Sequence, residues 1–123
     1  MSNPNIVNVS AIYGNTSTVA LSSTSATSLV SNTASSGKVF KIDNIVVANT
    51  TGSPATITIN VYSAAALGGT AYPVASAITV PGNATLIVTD KSTAFYLLED
   101  KSIGATAGTS NALVVTASWE EIN

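Results

Sequence analysis

The chain has no histidine, no cysteine and no arginine. Most proton-transfer and nucleophilic chemistry near neutral pH draws on imidazole or thiolate, so the usual enzyme constellations have no members here. The absence of cysteine also removes disulfides and thiolate metal sites. Charge is scarce. Only 8% of the 123 residues are ionised, against about 25% in ordinary soluble domains. The four cations are Lys38, Lys41, Lys91 and Lys101. They form no basic stripe, and nucleic acids bind through several phosphate contacts, so a nucleic-acid partner is not expected. No apolar run approaches the roughly 18 residues of a membrane-spanning helix, so no membrane partner is expected. Met1-Ser2-Asn3-Pro4 lacks the basic and apolar blocks of a secretory signal, which points to synthesis in a cytosol.

Hydroxyls take the place of charges: serine and threonine number 17 each. With 46% apolar residues the chain carries enough to build a core, and its length suits one domain. A net charge of −2 supplies little repulsion between copies, so a surface covered within an oligomer or larger assembly is expected.

Patterning is that of strands. No window shows the apolar spacing of an amphipathic helix with caps at both ends. Ser63-Ala64-Ala65-Ala66-Leu67 stops at Gly68-Gly69 and allows one turn at most. Residues 6–13 read as a strand ending at Gly14-Asn15, and residues 18–21 and 27–30 as short, weak strands. Residues 1–37 are thus expected as a Ser/Thr-rich arm, either at a sheet edge, reaching towards a neighbour, or floppy. Residues 38–123 are expected as the sandwich core.

Residues 38–49 form a long strand whose phase changes after Asn44, through a bulge or through burial of both faces. After the turn 50–54, Ala55 to Tyr62 alternates, with Ile57, Ile59 and Val61 inward, and it is read as a hairpin partner. Tyr62 has the opposite parity and is expected to point outward. A Gly/Ala loop over 64–71 precedes a strand over 74–80 with Val74, Ile78 and Val80 in phase. Pro81-Gly82-Asn83 is a tight turn, with Gly82 free to take positive φ. Strands follow over 86–88, 95–98, 102–107 and 113–119, the last with Leu113, Val115, Ala117 and Trp119 on one face. Eight or nine strands with turns every 8 to 12 residues predict an all-β antiparallel sandwich, jelly-roll or Greek-key like, ahead of a closed barrel.

Candidate chemistry is thin. The carboxylates Asp43, Asp90, Glu99, Asp100, Glu120 and Glu121 could serve a glycoside hydrolase only if two converged. Three of them sit beside lysines at turns, and Glu120 and Glu121 read as guards against further pairing. Glu99-Asp100 is the densest oxygen pair for calcium, without an Asp-x-Asp loop. No catalytic, cofactor-binding or metal residue is assigned, and no enzyme activity or cofactor is expected. Sequons begin at Asn8, Asn15, Asn49 and Asn83; the composition gives about three by chance. The aromatics Tyr13, Phe40, Tyr62, Tyr72, Phe95, Tyr96 and Trp119 could line a glycan platform or an interface.

The ordered set Lys38-Val39-Phe40-Lys41-Ile42, Ile45 to Thr50, Ala55 to Ile59, Val80-Pro81-Gly82-Asn83, Asp90-Lys91, Tyr96 to Asp100 and Ser118 to Ile122 resembles small virion structural proteins of tailed bacteriophages, especially those of cyanobacteria. The resemblance covers residues 38–122. It implies a non-enzymatic protein of the virion, made in the host cytoplasm. A capsid decoration or cement role comes first, and a neck, tail or baseplate component second. Its partners would be other virion proteins and further copies of itself, commonly a trimer. The competing expectation is a glycan-binding module for host attachment, which needs several aromatics on one exposed face. A third is a carboxylate enzyme.

Overall fold

The computed structural model describes residues 4–123. Nine strands form: β1 (Ile12–Ala20), β2 (Thr27–Asn32), β3 (Val39–Asn49), β4 (Ala55–Ala64), β5 (Gly68–Val80), β6 (Thr85–Thr89), β7 (Phe95–Leu97), β8 (Lys101–Ala107) and β9 (Leu113–Ile122). A single 3-10 turn, Lys91–Thr93, separates β6 from β7. One sheet runs β1-β9-β3-β6, with β7 on β3 beside β6; the other runs β2-β8-β4-β5. All pairings are antiparallel.

The pairs nest. β4 joins β5, β3 joins β6, β2 joins β8 and β1 joins β9. This is one long hairpin rolled into two sheets, the jelly-roll form of the expected sandwich. The anticipated β3–β4 hairpin does not form, because the turn 50–54 carries the chain from one sheet to the other. The true hairpin is β4–β5. Its turn is shorter than the expected loop, so β5 starts at Gly68.

Inward residues of both sheets make the core. Ile42, Ile45, Val47, Ile57, Ile59, Ile103 and Val115 are fully buried, each such side chain contributing about 1.5–3 kcal/mol relative to exposure. The phase change in β3 is a bulge: register with β9 shifts between Ile42 and Asn44, which returns Ile45 and Val47 to the core face. Leu113, Val115 and Ala117 are buried, with Trp119 packed against them as expected. Phe40 stacks on Trp119 at 6.1 Å and 25°.

Within the Ser/Thr-rich segment, β1 and β2 take the sheet-edge alternative. β1 and β2 are edge strands of the two sheets, and Leu21, Leu29 and Val30 belong to the core. β1 also runs straight through Gly14-Asn15, where a strand end was expected, because nine unbroken pairs with β9 override the local turn signal.

Buried asparagines tie the turns. Asn49 donates to the carbonyls of Ser53 and Val80 at 2.8 and 3.0 Å, and accepts from the Thr51 amide and hydroxyl. Asn32 donates to Lys38 O and Leu97 O, and accepts from Ser36 Oγ. These bonds satisfy backbone groups where strands leave their sheets.

Candidate interaction surface

The six carboxylates are dispersed. Asp43 sits at the β3 bulge, Glu99 and Asp100 in the turn before β8, and Glu120 and Glu121 on β9. Among the described residues no three acidic groups converge as metal ligands. Asp100 takes φ +56° and accepts from the Ala65 amide, so it pins a turn. Glu121 accepts from Lys38 Nζ at 3.2 Å and from Asn15 Nδ2. Glu120 and Glu121 guard no edge, since β9 lies between β1 and β3. Asp90 caps the 3-10 turn, and hydrogen bonds from the Ser92 hydroxyl and amide hold its carboxyl below the usual aspartate value. Asp100, Asp90 and Glu121 are thus used in a turn, a cap and a cross-strand contact.

The exposed aromatics do not form one platform. Tyr13, Tyr72 and Tyr96 are exposed, on β1, β5 and β7. Tyr62 does take the opposite parity from Ile57 and Ile59, yet it is only 9% exposed. The β4–β5 turn folds over that outer face, with the Leu67 amide bonded to Ser102 Oγ at 2.9 Å. Both Tyr62 and Leu67 lie against Gly104, where a methyl group would stand 2.8 Å from each. The missed signal was the small residue at 104, which leaves room for two covering side chains.

In β5, Val74 and Ile78 are exposed and only Val80 is buried. Register with β4 slips repeatedly, and Ala77 takes φ +47°, so the expected phase is lost. The sequon asparagines have structural uses: Asn49 is buried, Asn15 bonds Glu121, and Asn83 holds the left-handed position of its turn.

Two surface features remain. A shallow apolar concavity of about 220 Å³ is lined by Pro4, Ile6, Val39, Tyr96 and Leu98. No charged side chain lines it, so it offers apolar contact and no reactive group. The second feature is strand edges, four for two open sheets. Native edges are normally blunted by proline, lysine, bulges or brevity. β5 carries Pro73 and the bulge at Ala77. β2 is six residues long with a bulge, and its Ser31 hydroxyl accepts from the β4–β5 turn. β6 and β7 are five and three residues, interrupted by the 3-10 turn. β1 has none of these devices: nine residues, no charge, no proline, no register slip.

No protein-family model matches the sequence, and no curated protein matches it. Among solved structures, the chain is similar to a protein described under "Bacillus endospore appendages form a novel family of disulfide-linked pili", with a TM-score of 0.50 and 17% identity over 90% of this chain and 86% of that one. This likeness is one of fold. A chain of infectious bursal disease virus, Gx strain, matches at a TM-score of 0.27 and 11% identity, over 89% of this chain and 42% of that one.

Proposed function

We propose that the chain is a non-enzymatic structural subunit that works by docking to other polypeptides, most specifically as a capsid decoration or cement protein of a virion. The observation that carries the reading is the open edge of β1, which among the described residues has none of the proline, bulge or brevity that blunts the other edges. The described acids, where bonded, are bonded within the fold, while β1 keeps a row of backbone groups for another chain. The surface is built from hydroxyls and amides, which suits extensive neutral contact. The jelly-roll shared with a pilus protein is compatible with multi-copy assembly. With no cysteine, any such assembly of this chain would hold together without disulfides.

Decoration would act by mass action. A protein that binds the assembled shell but not its free subunits shifts the balance towards the shell. Weak contacts repeated over a lattice reinforce one another. A neck, tail or baseplate component uses the same contacts at lower copy number. A glycan-binding role has less support, since the exposed tyrosines lie on three separate strands.

Quantitative mass spectrometry of purified particles tests the reading. Hundreds of copies per particle mean shell, and about a dozen mean neck or baseplate, in proportion to the symmetry of those sites. Absence from particles, together with turnover of a small molecule by the isolated chain, would overturn it. Deleting residues 1–30 is uninformative, because it strips β1, four of the six residues of β2 and the core side chains Leu21, Leu29 and Val30.

A further inference from the structure

We propose that β1 is a self-complementary edge through which two copies of this chain pair antiparallel about a two-fold axis at Thr16. The direction of its backbone groups follows from the ladder ends. Ala11 and Asn123 exchange both of their hydrogen bonds, and the Leu21 amide donates to Leu113. The β1–β9 register is unbroken between those points. In an antiparallel ladder the bonding direction alternates along the strand. Odd-numbered residues therefore bond β9, and Ile12, Gly14, Thr16, Thr18 and Ala20 aim their amides and carbonyls at the open edge.

A partner must supply a matching row of groups. Proline, bulges or short length interrupt the other edges among the described residues, so the uninterrupted edge available is β1 of another copy. Antiparallel pairing centred on Thr16 sets outward-bonding residues opposite one another: 16 on 16, 14 on 18, 12 on 20. The side chains then match as well. Ile12, 52% exposed, meets Ala20, and Tyr13, 61% exposed, meets Val19. Asn15 meets Ser17, and threonine meets threonine at the axis. Aromatic with β-branched and threonine with threonine are favourable cross-strand pairs. The strand has no charge to repel its own copy. The contact is isologous, so it closes at a dimer. It rests on the same open β1 edge as the proposed docking role, but the oligomeric state of the isolated chain tests it without reference to particle composition.

The test uses the full chain. Size-exclusion chromatography with light scattering is expected to give twice the chain mass at micromolar concentration. Thr16→Pro removes an amide that points away from β9, so the variant is expected to keep its melting profile at low concentration and to elute at the single-chain mass. Thr16→Cys introduces the only thiol. The two copies of residue 16 would lie about 5.5 Å apart, within disulfide reach, so oxidation should cross-link it nearly completely. Thr18→Cys should cross-link little, because residue 18 faces residue 14. A monomer or trimer for the wild-type chain, a dimer indifferent to Thr16→Pro, or equal cross-linking at 16 and 18 would overturn the proposal. If Thr16→Pro fails to fold, the two cysteine variants decide it.

Discussion

Gly82 stands against the backbone of Gly52: a methyl group on Gly82 would lie 2.4 Å from both the carbonyl carbon and oxygen of Gly52. The two inter-sheet turns touch there, with the Asn83 amide donating to Thr51 O at 2.8 Å. Glycine was expected at this turn for its freedom at positive φ. The left-handed position is instead Asn83, at φ +57°, and Gly82 is needed for space.

Gly82→Ala is accordingly expected to destabilise by about 1–3 kcal/mol, the usual cost of overpacking against a part that cannot rotate away. Gly14→Ala is the control. Nothing lies within 4 Å of its would-be Cβ, and its expected effect is neutral to about 0.5 kcal/mol stabilising. Thermal unfolding of the two variants measures the difference.

Asn49→Ala leaves the Ser53 and Val80 carbonyls without their donor, one of them deep in the fold. Buried groups stripped of partners cost about 1–3 kcal/mol each, so chemical denaturation should show a loss of that order or more. Asn49→Asp should be equally harmful at neutral pH, because an ionised carboxylate cannot donate. Part of the loss should return in acid, when the carboxyl regains a proton.

Ile57→Ala should cost about 2–5 kcal/mol, since Ile57 is fully buried between the sheets. Ile87→Ala should cost about 0.5 kcal/mol or less, because Ile87 is 60% exposed on β6. Urea midpoints at constant slope separate the two.

Tyr62→Ala tests cover against ligand. The ring lies under the β4–β5 turn beside Leu67 and Gly104, so the expected result is a drop in stability of about 3 kcal/mol. A variant of unchanged melting temperature that had lost glycan binding would contradict the burial.

Asp90 provides a pH readout. The Ser92 hydrogen bonds favour its charged form and lower its native pKa beneath that of the unfolded chain. Its contribution to stability is therefore present above the unfolded value, 3.8, and is lost as pH falls through the lower native value. An NMR titration should place the Asp90 carboxyl below ordinary aspartate. Ser92→Ala should move it upward.

Much of the fold was legible because strand grammar is local. The alternation of Thr56, Ile57, Thr58 and Ile59 assigns a face to each residue, whatever lies on either side. The blurred run Ile45-Val46-Val47 announced a change of register, and the bulge beside Asp43 supplied it. The site was less legible. The lack of charge in residues 12–20 was visible, but Gly14-Asn15 read as a strand end, because a ladder with β9 lies about a hundred residues away in sequence.

Composition and period two by themselves determined that this protein is an all-β sandwich, poor in ionisable groups, with its apolar residues sorted onto inner faces. Only the tertiary structure decided which strands meet. The same alternating segment satisfies its hydrogen bonds beside any neighbour, so β4 could have joined β3 as well as β5; burial of both apolar faces at once selects the rolled hairpin. That choice placed Tyr62 under a turn, set Gly82 against Gly52, and left β1 as an edge whose outer row of amides and carbonyls meets no other strand among the described residues.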